Sequence, residues 1–346
     1  MKKIIALVLA LVMMLAFSGC ATEKTETIVV YNSEDYIDMD LIKQFEEETG
    51  IKVTYINFTS MEDLYIQMAK GGTKYDIVVP SDYIIERLIK EGRAEPLDKS
   101  KLTNINNLYG WFFESDYDPG CTYSVPYMWG TVGVLYNIEK TGEDITSWTQ
   151  LWDTKYVDQV CMMDSIRDTM GVTLKMLGYS MNDTSDEALA AVKDALVKQK
   201  ADGIVMAYGF DDIKDKLIND ECAIGMAWSG DAVYAMEFNE NLRYSVPEEG
   251  SNIWVDGIVI PKDAPNKDGA YKFIDFLMRP DIAAMNSEYI GYSTPNEAAM
   301  EVIDEDLRDM EAFNPGQEII DNCEWFHDIG DELPKFEKVW TEITAQ

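Results

Sequence analysis

The chain of 346 residues contains one histidine and five cysteines. A single imidazole excludes multi-histidine metal sites, and His327, within Trp325-Phe-His-Asp-Ile-Gly330, reads as a surface or hinge residue. Apart from Cys20, the cysteines are Cys121, Cys161, Cys222 and Cys323, with no CxxC spacing. Neither a zinc motif nor a disulfide framework is legible; one bridge and four free thiols are both compatible with the spacing. The sequence has no phosphate loop and no GxGxxG fingerprint, and Ser229, in Trp228-Ser-Gly230, lacks the flanks of a nucleophile elbow. No cofactor, metal or catalytic centre is therefore expected. Basic residues are scarce: 29 Lys and Arg face 63 Asp and Glu, a formal net charge of −34. Such a surface repels nucleic acid. It keeps the chain soluble and permits a cationic ligand without demanding one, because salt screens exposed charge beyond about 10 Å.

One long apolar run is present, Ile4–Phe17, preceded by the basic Met1-Lys2-Lys3 and closed by Ser18-Gly19-Cys20. It is short for a membrane span. The stretch resembles a bacterial lipoprotein signal, although Phe17 stands where Leu is usual. That resemblance implies a signal peptide over 1–19, lipidation of Cys20 and a polar tether over 20–26. A plain secretory signal cut near Gly19 is the alternative. Either way the mature chain lies outside the cytoplasm; in the first case only a lipid anchor holds it to the cell membrane.

The remainder alternates strand and helix patterns, and its length suffices for two lobes. Thr27–Tyr31 reads as a strand; Ile37–Thr49 reads as a helix, with apolar residues at Ile37, Leu41, Ile42 and Phe45, ending at Gly50. Ile51–Phe58 is expected as a strand, Met61–Lys70 as a helix, and Tyr75–Pro80 as a buried strand feeding a helix that ends near Gly92. Further helices are expected over Asp168–Leu177, Ser185–Gln199 and Ala270–Leu277, and from Leu333. Repeated units of this kind predict an α/β fold with parallel sheets covered by helices. There is no repeat and no low-complexity linker, so strands crossing between the lobes must form the boundary.

In open α/β sheets ligands bind beyond the carboxyl ends of strands. Four such loops carry an aromatic, a hydroxyl or an acid: Asn32-Ser-Glu-Asp-Tyr36, Pro80-Ser-Asp-Tyr83, Trp228-Ser-Gly-Asp231 and Gly291-Tyr-Ser-Thr-Pro-Asn296. Each has a plainer explanation. Asp35 and Asp82 would suit helix starts, Tyr83 and Trp228 would suit a core, and Gly291 to Asn296 is good turn chemistry. In Ile253-Trp-Val-Asp-Gly257, Trp254 and Asp256 leave the same face of a strand. An indole face and a carboxylate both attract an ammonium; a core Trp beside a turn-capping Asp is the alternative. Together, with no convergent Lys or Arg, these loops outline an aromatic-walled, acid-tipped cleft for an organic cation.

Several motifs, in order along the chain, carry a family resemblance: Glu48-Thr-Gly-Ile-Lys-Val53, Tyr75-Asp-Ile-Val-Val-Pro-Ser81, Val125-Pro-Tyr-Met-Trp-Gly130, Thr146-Ser-Trp-Thr-Gln-Leu-Trp152, Phe276-Leu-Met-Arg-Pro-Asp281 and Gly291-Tyr-Ser-Thr-Pro-Asn296. The sequence resembles the spermidine/putrescine-binding proteins of bacterial ABC importers. That resemblance implies a two-lobed periplasmic-binding-protein fold of type II, with lobe 1 over 27–130 plus 255–300 and lobe 2 over 131–254 plus 301–346. It implies a monomer that clamps a polyamine between its lobes and docks on a permease. Asp35, Tyr36, Ser81, Tyr83, Asp168, Trp228, Trp254, Asp256 and Tyr292 match positions that line the cleft, with Asp256 on a central amine, Asp35 on one terminal amine and Asp168 towards the other end. An acid in the first turn of a helix is the competing reading of Asp168. Ser33 replaces a usual Trp, Glu34 a small residue, Ser165 an acid and Phe326 a Gln, so Glu34 and Ser165 join the candidate residues while the choice of polyamine stays open. The alternatives are a binder of another small cationic or polar solute, a surface-anchored enzyme, or a sensory receptor.

Overall fold

A computed structural model describes residues 25–210 and 212–345. The lipidation and signal-peptide readings, and most of the tether, lie outside these residues. In chain order the principal elements begin with β1 (Thr27–Ser33), α1 (Met39–Thr49), β2 (Lys52–Phe58), α2 (Met61–Lys70), β3 (Ile77–Val78) and α3 (Asp82–Lys90). Then come β4 (Ser124–Asn137), β5 (Val160–Met163), α4 (Ile166–Met176), α5 (Asp186–Ala201), β6 (Val205–Gly209), β7 (Ile224–Trp228) and α6 (Ser229–Phe238). The chain closes through β8 (Leu242–Ser245), β9 (Ile253–Val259), α7 (Lys267–Leu277), α8 (Pro280–Ile290) and α9 (Leu333–Thr344).

Local chemistry sets the helix limits. The helix read from Ile37 begins at Met39, because Asp38 is extended and its side chain accepts from the Asp40 amide. It stops at Gly50, whose φ of 73° is left-handed, and it buries Leu41, Ile42 and Phe45. Burial of each such side chain contributes about 1.5–3 kcal/mol. Ser185 and Asn266 likewise cap α5 and α7, so α7 starts three residues before the expected Ala270. Ser165 caps α4 by accepting from the Asp168 amide.

The sheets are mixed, a correction to the parallel arrangement expected. β1 pairs in parallel with β2 and β3, and β5 with β6 and β7. β4 and β9, however, run antiparallel to each other and to their further neighbours β7 and β3. The reason is topological, since the strands that cross between the halves must return as well as go. The buried 14-residue β4 is shared: Ser124–Thr131 pairs with β9, and Val132–Tyr136 pairs with β7. One half is therefore β2-β1-β3-β9 with the start of β4, and the other is the end of β4 with β7-β5-β6, with β8 alongside.

Two buried carboxylates fix the approaches. Asp76 accepts from the Val29 and Asn266 amides at 2.8 and 2.6 Å, and Asp118 takes the amides of Thr122, Tyr123 and Ser124 at the entry to β4. Cys121, Cys161, Cys222 and Cys323 are free thiols. Among the described residues, no helix is long and apolar enough to cross a membrane, and no cluster of three His, Cys, Asp or Glu could hold a metal ion.

Candidate functional site

The candidate residues gather around Asp256, which lies on β9 just beyond the point where β4 changes partners. The alternation of β9 sends Val255 into a hydrophobic cluster and leaves Asp256 on the other face. Ser81 bridges to Asp256 across the backbone, and its hydroxyl donates to Asp256 Oδ1 at 2.6 Å. Ser81 stands at the N-cap of α3 but makes no side-chain cap, because its hydroxyl serves Asp256 instead. Tyr36 Oη donates to the other oxygen, Oδ2, at 2.7 Å. Burial raises the Asp256 carboxyl above its usual range, while these two bonds pull it back. A cation arriving here would meet a nearly dry carboxylate already held by two neutral donors.

Tyr36 is itself held in place. Its carbonyl accepts from Tyr127 Oη at 2.6 Å, and Asn286 Nδ2 donates to that same phenol oxygen at 2.8 Å. Tyr127 and Asn286 act at one remove and were not singled out from the sequence, where both look like ordinary core and helix residues.

The aromatic wall is continuous. Tyr36 meets Tyr292 edge to face with ring centroids 5.9 Å apart, and Tyr292 meets Trp254 in the same way at 5.0 Å. Close packing behind the wall explains two glycines. A Cβ on Gly130 would lie 2.8 Å from the Trp254 ring and 2.5 Å from Ser229 Oγ, and one on Gly230 would lie 2.3 Å from the Tyr292 ring. The buried Trp254 Nε1 finds no hydrogen-bond acceptor among the described residues.

The opposite side begins at the N-terminus of α4. Ser165 Oγ donates to Asp168 Oδ2 at 2.6 Å and accepts from the Asp168 amide at 3.3 Å, so both residues are locked into one turn. Burial pushes the Asp168 carboxyl up to about 6, against the Ser165 bond and the charge of Arg167. Arg167 corrects the expectation that no basic residue converges here. It is buried, lies 5.6 Å from the Tyr83 ring and 4.4 Å from the Phe326 ring, and donates to the His327 carbonyl and to Asn182 Oδ1, each at 3.0 Å. Its place in Ser165-Ile-Arg-Asp168, directly before a candidate acid, was the available signal.

Asp82 is fully buried beside this group. It is the first residue of α3 rather than its cap, and it accepts from the Tyr83 amide at 2.7 Å. Burial holds its carboxyl well above the usual range; the Tyr83 amide opposes the rise and the charge of Asp256 adds to it. Glu34 and Asp35 are exposed in the turn after β1, where Asp35 takes a left-handed φ of 51° and caps no helix. His327 is partly exposed, with Nδ1 3.6 Å from Glu86.

Tyr36, Ser81, Trp254, Asp256 and Tyr292 thus form one contact network, and Tyr83, Ser165 and Asp168 gather around Arg167. Trp228 lies at the end of β7, one residue before the Ser229 that backs Gly130. The arrangement suits an elongated organic cation with apolar methylenes: carboxyls for its ends, aromatic faces for its middle.

Comparison with known proteins gives the same direction. Residues 40–313 match the family described as bacterial extracellular solute-binding protein. The chain is 35% identical over 334 residues to the spermidine/putrescine-binding periplasmic protein of Escherichia coli K12, covering 96% of this chain and 95% of that one. It is 31% identical to the putrescine-binding periplasmic protein PotF of the same organism, covering 91% and 89%. The crystal structure of the spermidine/putrescine ABC transporter substrate-binding protein PotD from Streptococcus pneumoniae superposes with a TM-score of 0.83 at 39% identity, covering 92% of this chain and 99% of that one.

Proposed function

The chain belongs to the bacterial extracellular solute-binding proteins, and we propose that it captures polyamines, putrescine or spermidine, outside the cytoplasm and delivers them to the permease of an ABC importer. Its fold is the two-lobed periplasmic-binding type, and its relatives are transport proteins rather than enzymes. The observation that carries the ligand reading is Asp256: a buried carboxylate gripped by Ser81 and Tyr36 beneath the Tyr36, Tyr292 and Trp254 rings.

On this reading capture is an exchange of solvents. An ammonium leaves water for the Asp256 carboxylate and the faces of Trp254 and Tyr292, and the methylenes cover aromatic surface. A second ammonium is directed towards Asp168, whose ionisation its arrival favours. Tyr83, Ser81 and Trp228 complete the walls, Asp35 and Glu34 guard the rim, and Ser165 orients Asp168. Lobes with the boundaries given above close over the ligand by bending where β4 and β9 cross, and the closed monomer docks on the permease. Cys20 carries the lipid that tethers the protein to the cell membrane.

Calorimetric titration of the signal-less protein tests this. Putrescine or spermidine should bind with enthalpy and stoichiometry of one site, while neutral solutes of similar size should not. An ω-amino acid in the same panel tests whether Arg167 recruits a carboxylate. Binding of a neutral solute or an amino acid with no polyamine signal would overturn the proposal.

A further inference from the structure

The carboxyl ends of β7, β5 and β6 lie side by side in that order. The Asp164 amide bonds the Gly209 carbonyl at 2.8 Å, so the ends of β5 and β6 are level. On the other side Cys161 is in register with Gly225, and three further residues bring Asp164 level with Trp228. Phe210 follows β6 directly. Because β5 lies between them, the backbones at Phe210 and Trp228 are two strand spacings apart, roughly 9–10 Å. Their rings nevertheless stand 6.3 Å apart by centroid and within 15° of parallel. The two side chains therefore lean towards each other over the end of β5, where Asp164 and Ser165 begin the turn into Asp168.

Phe210 remains 48% exposed in this position, and Asp164 is also exposed. A single exposed ring needs no explanation. Trp228 packs against the hydrophobic core, and the stacked pair stands at the carboxyl ends of β7 and β6, with Asp164 on the strand end between them.

We propose that Phe210 is a ligand-contacting wall that discriminates between polyamines by length. With Trp228 it forms an apolar face for the additional aminopropyl arm of spermidine, and Asp164 receives the ammonium at the end of that arm. The assignment rests on the polyamine reading above and extends it, because putrescine lacks the arm and would reach Trp228 without contacting Phe210 or Asp164.

The test compares putrescine and spermidine by calorimetry at one ionic strength, using the signal-less protein and its Phe210→Ala, Phe210→Trp and Asp164→Asn variants. Phe210→Ala should raise the spermidine Kd about 10-fold and the putrescine Kd less than about 3-fold, with Phe210→Trp restoring the ratio. Asp164→Asn should weaken spermidine selectively and flatten its dependence on salt. An unchanged ratio in folded Phe210→Ala would overturn the inference. So would equal losses for both ligands, which would mean that Phe210 only props Trp228. A parent protein that binds neither polyamine is a separate outcome and removes the proposed function itself.

Discussion

Tyr36 and Asp256 are 220 residues apart in sequence and joined by a 2.7 Å hydrogen bond from phenol to carboxylate. That bond fastens the turn after β1 to β9, and with the Ser81 bond it holds both oxygens of a buried carboxylate. Asp256→Asn should therefore strand a bound ammonium without its counter-charge, weakening polyamine binding by about 2–5 kcal/mol. Trp254→Leu should cost less, about 0.5–2 kcal/mol. Calorimetry of the two variants checks the order, and an Asn variant that binds as tightly as the parent would move the centre of the site elsewhere.

The pH response should follow Asp168. Its folded carboxyl titrates near 6, whereas an unfolded Asp titrates near about 4. Between those values the folded chain holds the extra proton, so the contribution of Asp168 to stability falls as pH rises from 4 to 6 and is level above. Ligand binding has the opposite slope: an ammonium needs the ionised form, so affinity should rise through pH 6 and flatten by pH 7, by at most about 10-fold per unit from this group. Asp256, also raised, acts in the same sense. Titrations from pH 5 to 8 on the parent and Asp168→Asn isolate the Asp168 part as the difference between the two curves.

Gly130 leaves no room for a methyl group between β4 and the Trp254 ring. Gly130→Ala should push Trp254 or Ser229 aside, lowering polyamine affinity about 10-fold or more and altering tryptophan emission while the chain still folds. Wild-type affinity in this variant would show that the wall tolerates movement.

Closure should be visible in solution. If the lobes bend where β4 passes from β9 to β7, saturating spermidine should reduce the radius of gyration measured by small-angle scattering. Superimposable curves with and without ligand would count against closure.

The proposed anchor depends on Cys20. Cys20→Ala should release the protein from the membrane fraction without changing its affinity for ligand, as fractionation and titration would show. Retention of the variant on membranes would argue against lipidation.

Much of this was open to reading along the chain because it depends on local periodicity. The apolar spacing of Leu41, Ile42 and Phe45 with Gly50 behind it specifies α1, and alternation alone puts Trp254 and Asp256 on one face of β9. Motif order along the chain likewise carries the family resemblance. What local pattern could not supply was the direction in which crossing strands run, since strand sequence is nearly blind to whether its neighbour is parallel. It could not supply Arg167 either. A lone Arg in a helix start is ordinarily solvated, and only the packing of Tyr83, Phe326 and the His327 carbonyl around it buries it beside Asp168.

The same division holds for the acids. Sequence determined that Asp82, Asp168 and Asp256 sit at element ends or on a strand face, because capping preference and side-chain alternation are properties of a few neighbouring residues. Tertiary structure alone decided that all three are buried and that their carboxyls are raised, while Glu34 and Asp35 stay in water. Burial is set by what other segments bring from far along the chain, and the free energy of a charge depends on that surrounding medium rather than on its neighbours in sequence.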